Sequence, residues 1–430
     1  MPGRNGRTFW TARLAALVLV MILVTASTSG CWDHRELEDV GFILALGLDK
    51  GENAPVRLTA QIAVPVQIAP GRGGGGGPGV ITETVEGSTI DEIMTYMSSF
   101  RHKQVSLQHN KIIVFGKELA QEGILQFLGE AVRDREIRRS NYLLVSTGTA
   151  GDVLQALSAE RNPAAAIEEL VRLTSYTGLA PQVTIHDWLT AYESRTGAPV
   201  APVIGPPRSP TKSGLEQDGG SGRGTGSGVT GNGALSLPKL QVMGTAVFDG
   251  DRLVDMMSGV ESQVFLMMIG KLKRTAITMP LEDPQAVVTV RLKGEKPKKS
   301  LTYEGSTPKI KHTIVFEGGI TQFIYRHKYL TTQRELDNVA RQVGERVKGI
   351  AEELVARMQG LGVDPFGYAG LARGRMSTYT EWVGFDWRPL YQQADIAIEV
   401  KSFLRRTGLT IQPLQVNPVG DGQEGGSTGP

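Results

Sequence analysis

The sequence predicts a mixed α+β protein of three domains with mixed sheets and packed helices. Three observations predict it. Short runs with strand-like alternation interleave with capped amphipathic helices between Trp32 and Arg195. Near the other end, alternating runs flank one long helix with a single apolar stripe. Two Gly-rich stretches interrupt the pattern and punctuate the chain.

The elements follow in order. Val40 to Leu48 reads as a buried strand, and Arg57 to Val66 and Val80 to Val85 alternate as partly exposed strands do. Ser88 to Phe100 reads as a helix opened by the pair Thr89 and Glu92. Ile112 to Phe115 is a short strand. Glu118 to Val132 has apolar residues at helical spacing, and Tyr142 to Val145 is a further strand. Thr149 and Asp152 open a capped helix, and Ala164 to Leu173 and Ile185 to Ser194 follow as helices.

Gly71 to Gly79 is a loop expansion between two strands, and residues 198–236 read as a flexible Gly/Ser/Pro linker. Residues 237–284 read as a small middle domain. In it, Gln241 to Phe248 and Arg252 to Met256 form a hairpin across Asp249-Gly250-Asp251, and Ser262 to Ile269 is helical. Residues 285–412 form an α+β domain. Val287 to Leu292, Lys309 to Phe316 and Ala394 to Val400 are its strands. Its helix runs from about Gln333 to Gln359, with Leu336, Val339, Val343, Val347, Ile350, Leu354 and Met358 on one stripe. Thr332 and Glu335 form a capping box and Gly360 and Gly362 suit its end. Gly344 and Gly349 inside it weaken it by roughly 1 kcal/mol each relative to Ala. Residues 413–430 are expected to be disordered, and 31–197 form the first domain.

The start of the chain has its own logic. Arg4, Arg7 and Arg13 precede Leu14 to Val24, which contains no polar residue. That run is about 11 residues, against about 20 for a spanning helix. A small-residue stretch follows, so residues 1–30 read as a secretory signal peptide. The lone cysteine, Cys31, stands directly after it. The sequence Thr28-Ser29-Gly30-Cys31 resembles the attachment site of bacterial lipoproteins, with Thr28 as its one departure. That reading puts a diacylglyceryl group on Cys31. The other reading is cleavage near Ala26 and a free thiol.

The chain has 46 Lys+Arg against 44 Asp+Glu. Residues 1–30 hold three Arg and no acid, leaving 43 against 44, or −1. No basic excess favours nucleic acid. One cysteine allows no internal disulfide. The six histidines, His34, His102, His109, His186, His312 and His327, form no metal-ligand spacing. His34 among Asp33, Glu36 and Asp39 reads as a charged helical turn. Gly74-Gly76-Gly79 and Gly226-Gly228-Gly231 match GxGxxG without a strand before or a helix after. Residues 425–429 match GxSxG in a tail that offers no rigid elbow. Catalytic, cofactor and metal residues are therefore expected to be none. Arg133 to Arg139 reads as a solvated helix end or a partner surface, and Trp382 and Trp387 as anchors of a loop on a core or as markers of a ligand site.

Four blocks resemble one family. Cys31 to Leu37 with Ala45-Leu46-Gly47-Leu48-Asp49 is similar to the start of the Ger(x)C lipoproteins. His109 to Asp134, with Glu136, Arg138 and Ala150-Gly151-Asp152-Val153-Leu154, is similar to their centre. Gly244 to Phe248, Leu253-Val254 and Glu261 resemble their middle. Asp364-Pro365-Phe366-Gly367, Trp382, Trp387 and Arg406-Thr407-Gly408 resemble their end. The resemblance implies the C subunit of a spore germinant receptor, a non-enzyme without cofactor. It also implies anchoring on the outer face of the inner spore membrane. The partners it implies are an A subunit and a transporter-like B subunit. A solute-binding lipoprotein and a cell-wall hydrolase are the rival classes.

Overall fold

The computed structural model describes residues 5–27, 40–63, 79–101, 103–133, 136–157, 162–207, 240–283, 286–324 and 332–406. Cys31, Asp33 to Asp39, most of the Gly-rich loop, residues 208–236 of the expected linker, residues 237–239 and the tail lie outside them. The strands are β1 Val40–Lys50, β2 Val56–Ala63, β3 Val80–Gly87, β4 Gln104–Ser106, β5 Ile112–Phe115, β6 Tyr142–Ser146 and β7 Val200–Gly205. They continue as β8 Gln241–Asp249, β9 Arg252–Met257, β10 Thr275–Pro280, β11 Val287–Gly294, β12 Lys298–Glu304, β13 Thr307–Ile324 and β14 Asp395–Arg406. The helices are α1 Asn5–Ser27, α2 Ile90–Arg101, α3 Lys117–Glu122, α4 Leu125–Arg133, α5 Ala150–Ala156 and α6 Pro163–Thr177. After them come α7 Ile185–Ser194, α8 Gly259–Met268, α9 Gln333–Leu361, α10 Ala369–Arg373, α11 Tyr379–Val383 and α12 Trp387–Gln392. No described helix is long and apolar enough to cross a membrane.

The first sheet runs β3-β2-β1-β5-β6-β7-β8-β9, with β4 also beside β1. Its centre, β1-β5-β6-β7, is parallel, and antiparallel strands close both edges. Parallel strands are buried on both faces, which is why β5 and β6 are apolar almost throughout. The two faces build separate cores. Ile113, Phe115, Leu143 and Val145 pack with α2, α4 and α7. The alternate residues Ile112, Val114 and Leu144 pack with α5 and α6.

The second sheet runs β10-β11-β13-β12, with β14 parallel to β13. α9 lies along it, and Val339, Val343, Val347, Ile350, Leu354 and Met358 are buried as the stripe predicts. The Thr332/Glu335 capping box forms, and Gly362 ends the helix at φ +68°. Gly344 has a packing reason: a Cβ there would sit 3.0 Å from Ser402 Oγ, whose hydroxyl donates to the Ala340 carbonyl at 2.7 Å. Nothing in the structure explains Gly349, which faces open space.

Three differences from the sequence reading stand out. Residues 237–284 distribute their strands over both sheets: β8 and β9 extend the first and β10 joins the second. An isolated hairpin is marginal in water, so it pairs with a larger sheet. Val200–Gly205, inside the stretch read as linker, is a strand between β6 and β8. Its Pro202 sits where the β7–β8 register shifts, where a missing N–H is tolerated. The helix expected over Glu118 to Val132 is two helices. Gly123 breaks it at φ +132°, and Asp251 fills the break. Its carbonyl accepts from Ile124 N at 3.1 Å and its carboxylate from Leu125 N at 3.2 Å.

Candidate functional site

The described residues of the four sequence blocks make contacts that are structural. Asp49, the last residue of Ala45-Leu46-Gly47-Leu48-Asp49, ends up beneath α5. Its carboxylate accepts from Ala150 N at 2.7 Å and Gly151 N at 2.8 Å. These are two of the unpaired donors that every helix N-terminus leaves, and the helix dipole favours a negative charge there. The same helix is capped by Thr149, which accepts from Asp152 N at 3.1 Å. Gly47 and Gly116 keep the approach open, since a Cβ at Gly116 would strike Asp49 Oδ1. Asp49→Ala is expected to cost about 2–4 kcal/mol, because two charge-assisted bonds to buried donors vanish together. Hydrogen exchange of the α5 amides, faster in the variant by the corresponding factor, is the check.

The third block joins the halves. Glu261 caps α8 through a reciprocal box with Ser258. It also accepts from Arg357 Nη1 of α9 at 2.7 Å, while Arg357 Nη2 lies 3.1 Å from Asp255 of β9. Thr245 of β8 shares a hydroxyl contact of 2.8 Å with Ser262 of α8.

The fourth block is a hub. Asp364 is buried, and its Oδ1 accepts from Phe366 N at 3.1 Å and Gly367 N at 3.0 Å. Its Oδ2 accepts from Ala369 N at 2.7 Å and Trp387 Nε1 at 3.3 Å. Gly367 stands at φ +77°, which the turn requires and side chains resist. The turn faces the first half of the chain, and Ala198 N donates to the Asp364 carbonyl at 2.7 Å. Nearby, Trp382 Nε1 donates to Ser194 O at 3.0 Å, and Arg388 pairs with Asp249 at 3.0 Å. Both tryptophans are buried anchors, as their spacing predicts.

Between these contacts opens a cleft of about 810 Å³, lined among others by Tyr192, Arg195, Asp249, Tyr379, Trp382 and Arg388. Among the described residues its lining contains no serine, cysteine or histidine. No described group of three or more His, Cys, Asp or Glu is placed to hold a metal ion.

Behind the hub lies a buried polar group that the sequence reading missed. His312 of β13 is fully buried. Its Nε2 lies 3.1 Å from the Met268 carbonyl and its Nδ1 2.8 Å from Tyr368 Oη. A carbonyl only accepts, so Nε2 carries the proton and Nδ1 accepts from the tyrosine hydroxyl. Burial, reinforced by the Lys299 ammonium opposite, pushes His312 down to about 3. Burial likewise pushes Lys299 down to about 8, although Asp364 opposes it. Lys299 Nζ donates to the Phe366 carbonyl at 2.6 Å. No spacing in the sequence brings residues 299, 312, 364 and 368 together.

Two mixed sheets braced by buried carboxylates at helix ends and turns, with a cleft at their junction, define a two-sheet α+β scaffold in outline. Comparisons place it. Residues 33–206 match the family model described as the spore germination protein N-terminal domain. Residues 243–408 match the model of the spore germination B3/GerAC-like C-terminal domain. The chain belongs to this spore germination protein family, known also as Ger(x)C, and is a spore germination protein. It is 25% identical over 417 residues to spore germination protein KC of Bacillus subtilis (strain 168), covering 94% of this chain and 98% of that one. It is 32% identical over 149 residues to spore germination protein A3 of the same organism, 34% of this chain and 39% of that one. The crystal structure of the GerBC protein aligns with a TM-score of 0.49 at 17% identity, over 84% of this chain and 96% of that one.

Proposed function

We propose that the chain is the C subunit of a spore nutrient germinant receptor. It is a lipoprotein without catalytic activity, anchored through Cys31 to the outer face of the inner spore membrane. There it works with an A subunit and a transporter-like B subunit. The observation that carries this reading is the match of both family models, in order, across most of the chain. The near end-to-end alignment with protein KC supports it. The basic start, short apolar run and cysteine at position 31 support the anchor. Two acyl chains hold a protein to a bilayer stably.

Spores lacking the gene are expected to stay dormant toward at least one nutrient and to respond normally to agents that bypass receptors. Normal nutrient responses without any paralogue would reject the reading. Cys31→Ala is expected to move the protein out of the membrane fraction or to block its maturation, read by fractionation of spore lysates.

The cleft between the halves favours a second reading, a solute-binding lipoprotein. Such proteins close two similar lobes on a ligand, whereas the two sheets here differ in strand order. Calorimetry of the protein with amino acids and sugars separates the readings: tight binding by this chain alone favours the second.

A further inference from the structure

One end of the first sheet carries exposed aromatic and basic side chains, and it is the end from which the chain leads back to Cys31. β1 starts at Val40, nine residues after Cys31. Nine residues reach at most about 30 Å. β4 pairs with the start of β1, Val40 opposite Gln104, so α2 delivers its last turn to this same end. β2 and β3 bring Ile81 there as well, opposite Ile62.

α2 buries Ile90, Ile93 and Met97 against the sheet. Its outer face holds Tyr96 and Phe100, four residues apart, 51% and 53% exposed, and Ile81 of β3 is 41% exposed. The helix is fixed in this attitude, because Arg101 Nε donates to Glu83 of β3 at 2.6 Å. The same end of the sheet carries cations. Lys103 leads into β4, and Arg138 and Arg139 are exposed. Glu136 ties their segment to β4, accepting from Ser106 Oγ at 2.9 Å and Leu107 N at 2.7 Å. Among the described residues no carboxylate forms an ion pair with these three cations.

We propose that this end of the sheet lies on the bilayer, with Tyr96, Phe100 and Ile81 at the headgroup–acyl boundary and Lys103, Arg138 and Arg139 against anionic headgroups. The inference rests on the anchor at Cys31. Exposed aromatic residues rimmed by basic ones are the composition that interfaces with anionic lipid take up. The short tether holds that composition within reach of the surface, so a contact too weak to recruit the protein alone is made effective by local concentration. The contact fixes which way the second half and the cleft face, which attachment at Cys31 alone does not.

The test uses the full chain in vesicles of three parts phosphatidylcholine to one part phosphatidylglycerol. Phe100→Cys and Glu52→Cys, the latter at the opposite end of the sheet, are spin-labelled, and the parent chain labelled identically supplies the blank for Cys31. Oxygen against aqueous-nickel accessibility reports depth. The expected result is a label at position 100 several-fold more accessible to oxygen than to nickel, and a label at position 52 with the reverse preference. Equal, water-like accessibility at both positions overturns the proposal. Burial of the label at position 100 only in native spore membranes, and not in protein-free vesicles, assigns the surface to a protein partner and also overturns it. The mass of the peptide containing Cys31 is measured on the same sample. An unmodified thiol rejects the anchor, while the depth at position 100 still decides the surface.

Discussion

Replacing Asp364 by alanine should lower the stability of the C-terminal half by about 3–5 kcal/mol, the largest effect of any single side chain considered. Four donors lose their acceptor at once: the N–H groups of Phe366, Gly367 and Ala369 and the indole of Trp387. The site is buried, so water does not replace the carboxylate without opening the core. The Lys299 ammonium, already held below its ordinary range by burial, also loses its nearest counter-charge. Asp364→Asn is informative because it is nearly isosteric. Its oxygen serves Phe366 and Gly367, but its NH2 faces the donors of Ala369 and Trp387. It should therefore cost about 2 kcal/mol, between the parent and the alanine variant. The two halves need not unfold together, so the fluorescence of Trp382 and Trp387 against denaturant is the local readout. A loss below about 1 kcal/mol for Asp364→Ala would show that the hub is dispensable. The same variant should loosen the contact between the halves, because Ala198 donates to the carbonyl of this residue.

Acidification should destabilise the same half through His312. In the folded state this imidazole is held near 3, and in the unfolded state it returns to about 6.5. Between those values the unfolded chain binds a proton that the folded chain refuses. Stability from this group is therefore complete above about pH 6.5 and falls as the pH drops below it, by up to about 1.4 kcal/mol per pH unit. From pH 8 to pH 5 the loss is about 2 kcal/mol. Denaturant unfolding followed by the same tryptophans at several pH values measures it. His312→Gln should be less stable at pH 8 and should show a flatter profile between pH 5 and 7. An unchanged slope in the variant would assign the pH dependence to other groups.

Much of the fold was legible because its signals are local. α9 announces itself by a stripe at steps of three and four and by Thr332 and Glu335 at its start, all within one segment. The central strands β5 and β6 are apolar runs that fit a doubly covered sheet. β12 was not legible. It is an edge strand with only Leu301 buried, so its charged residues hide any alternation. β7 was hidden by Pro202 and its Gly-rich neighbourhood, and it is a strand because β6 and β8 stand on either side to pair with it.

The family motifs divide in the same way. Their residue types were visible, and Trp382 and Trp387 anchor as their spacing suggests. The role of Asp49 was not, since its partners lie about a hundred positions away at Ala150 and Gly151. Nor was the grouping of Lys299, His312, Asp364 and Tyr368, which come from two strands and a turn. Periodicity and caps depend on neighbours within one helical turn or one pleat, so the chain itself determined the capped helices and the apolar central strands, though not β7 or the edge strand β12. Which strands pair, which carboxylate meets which helix end and which histidine is shut away from water depend on contacts between distant segments, and only the assembled sheets decided them.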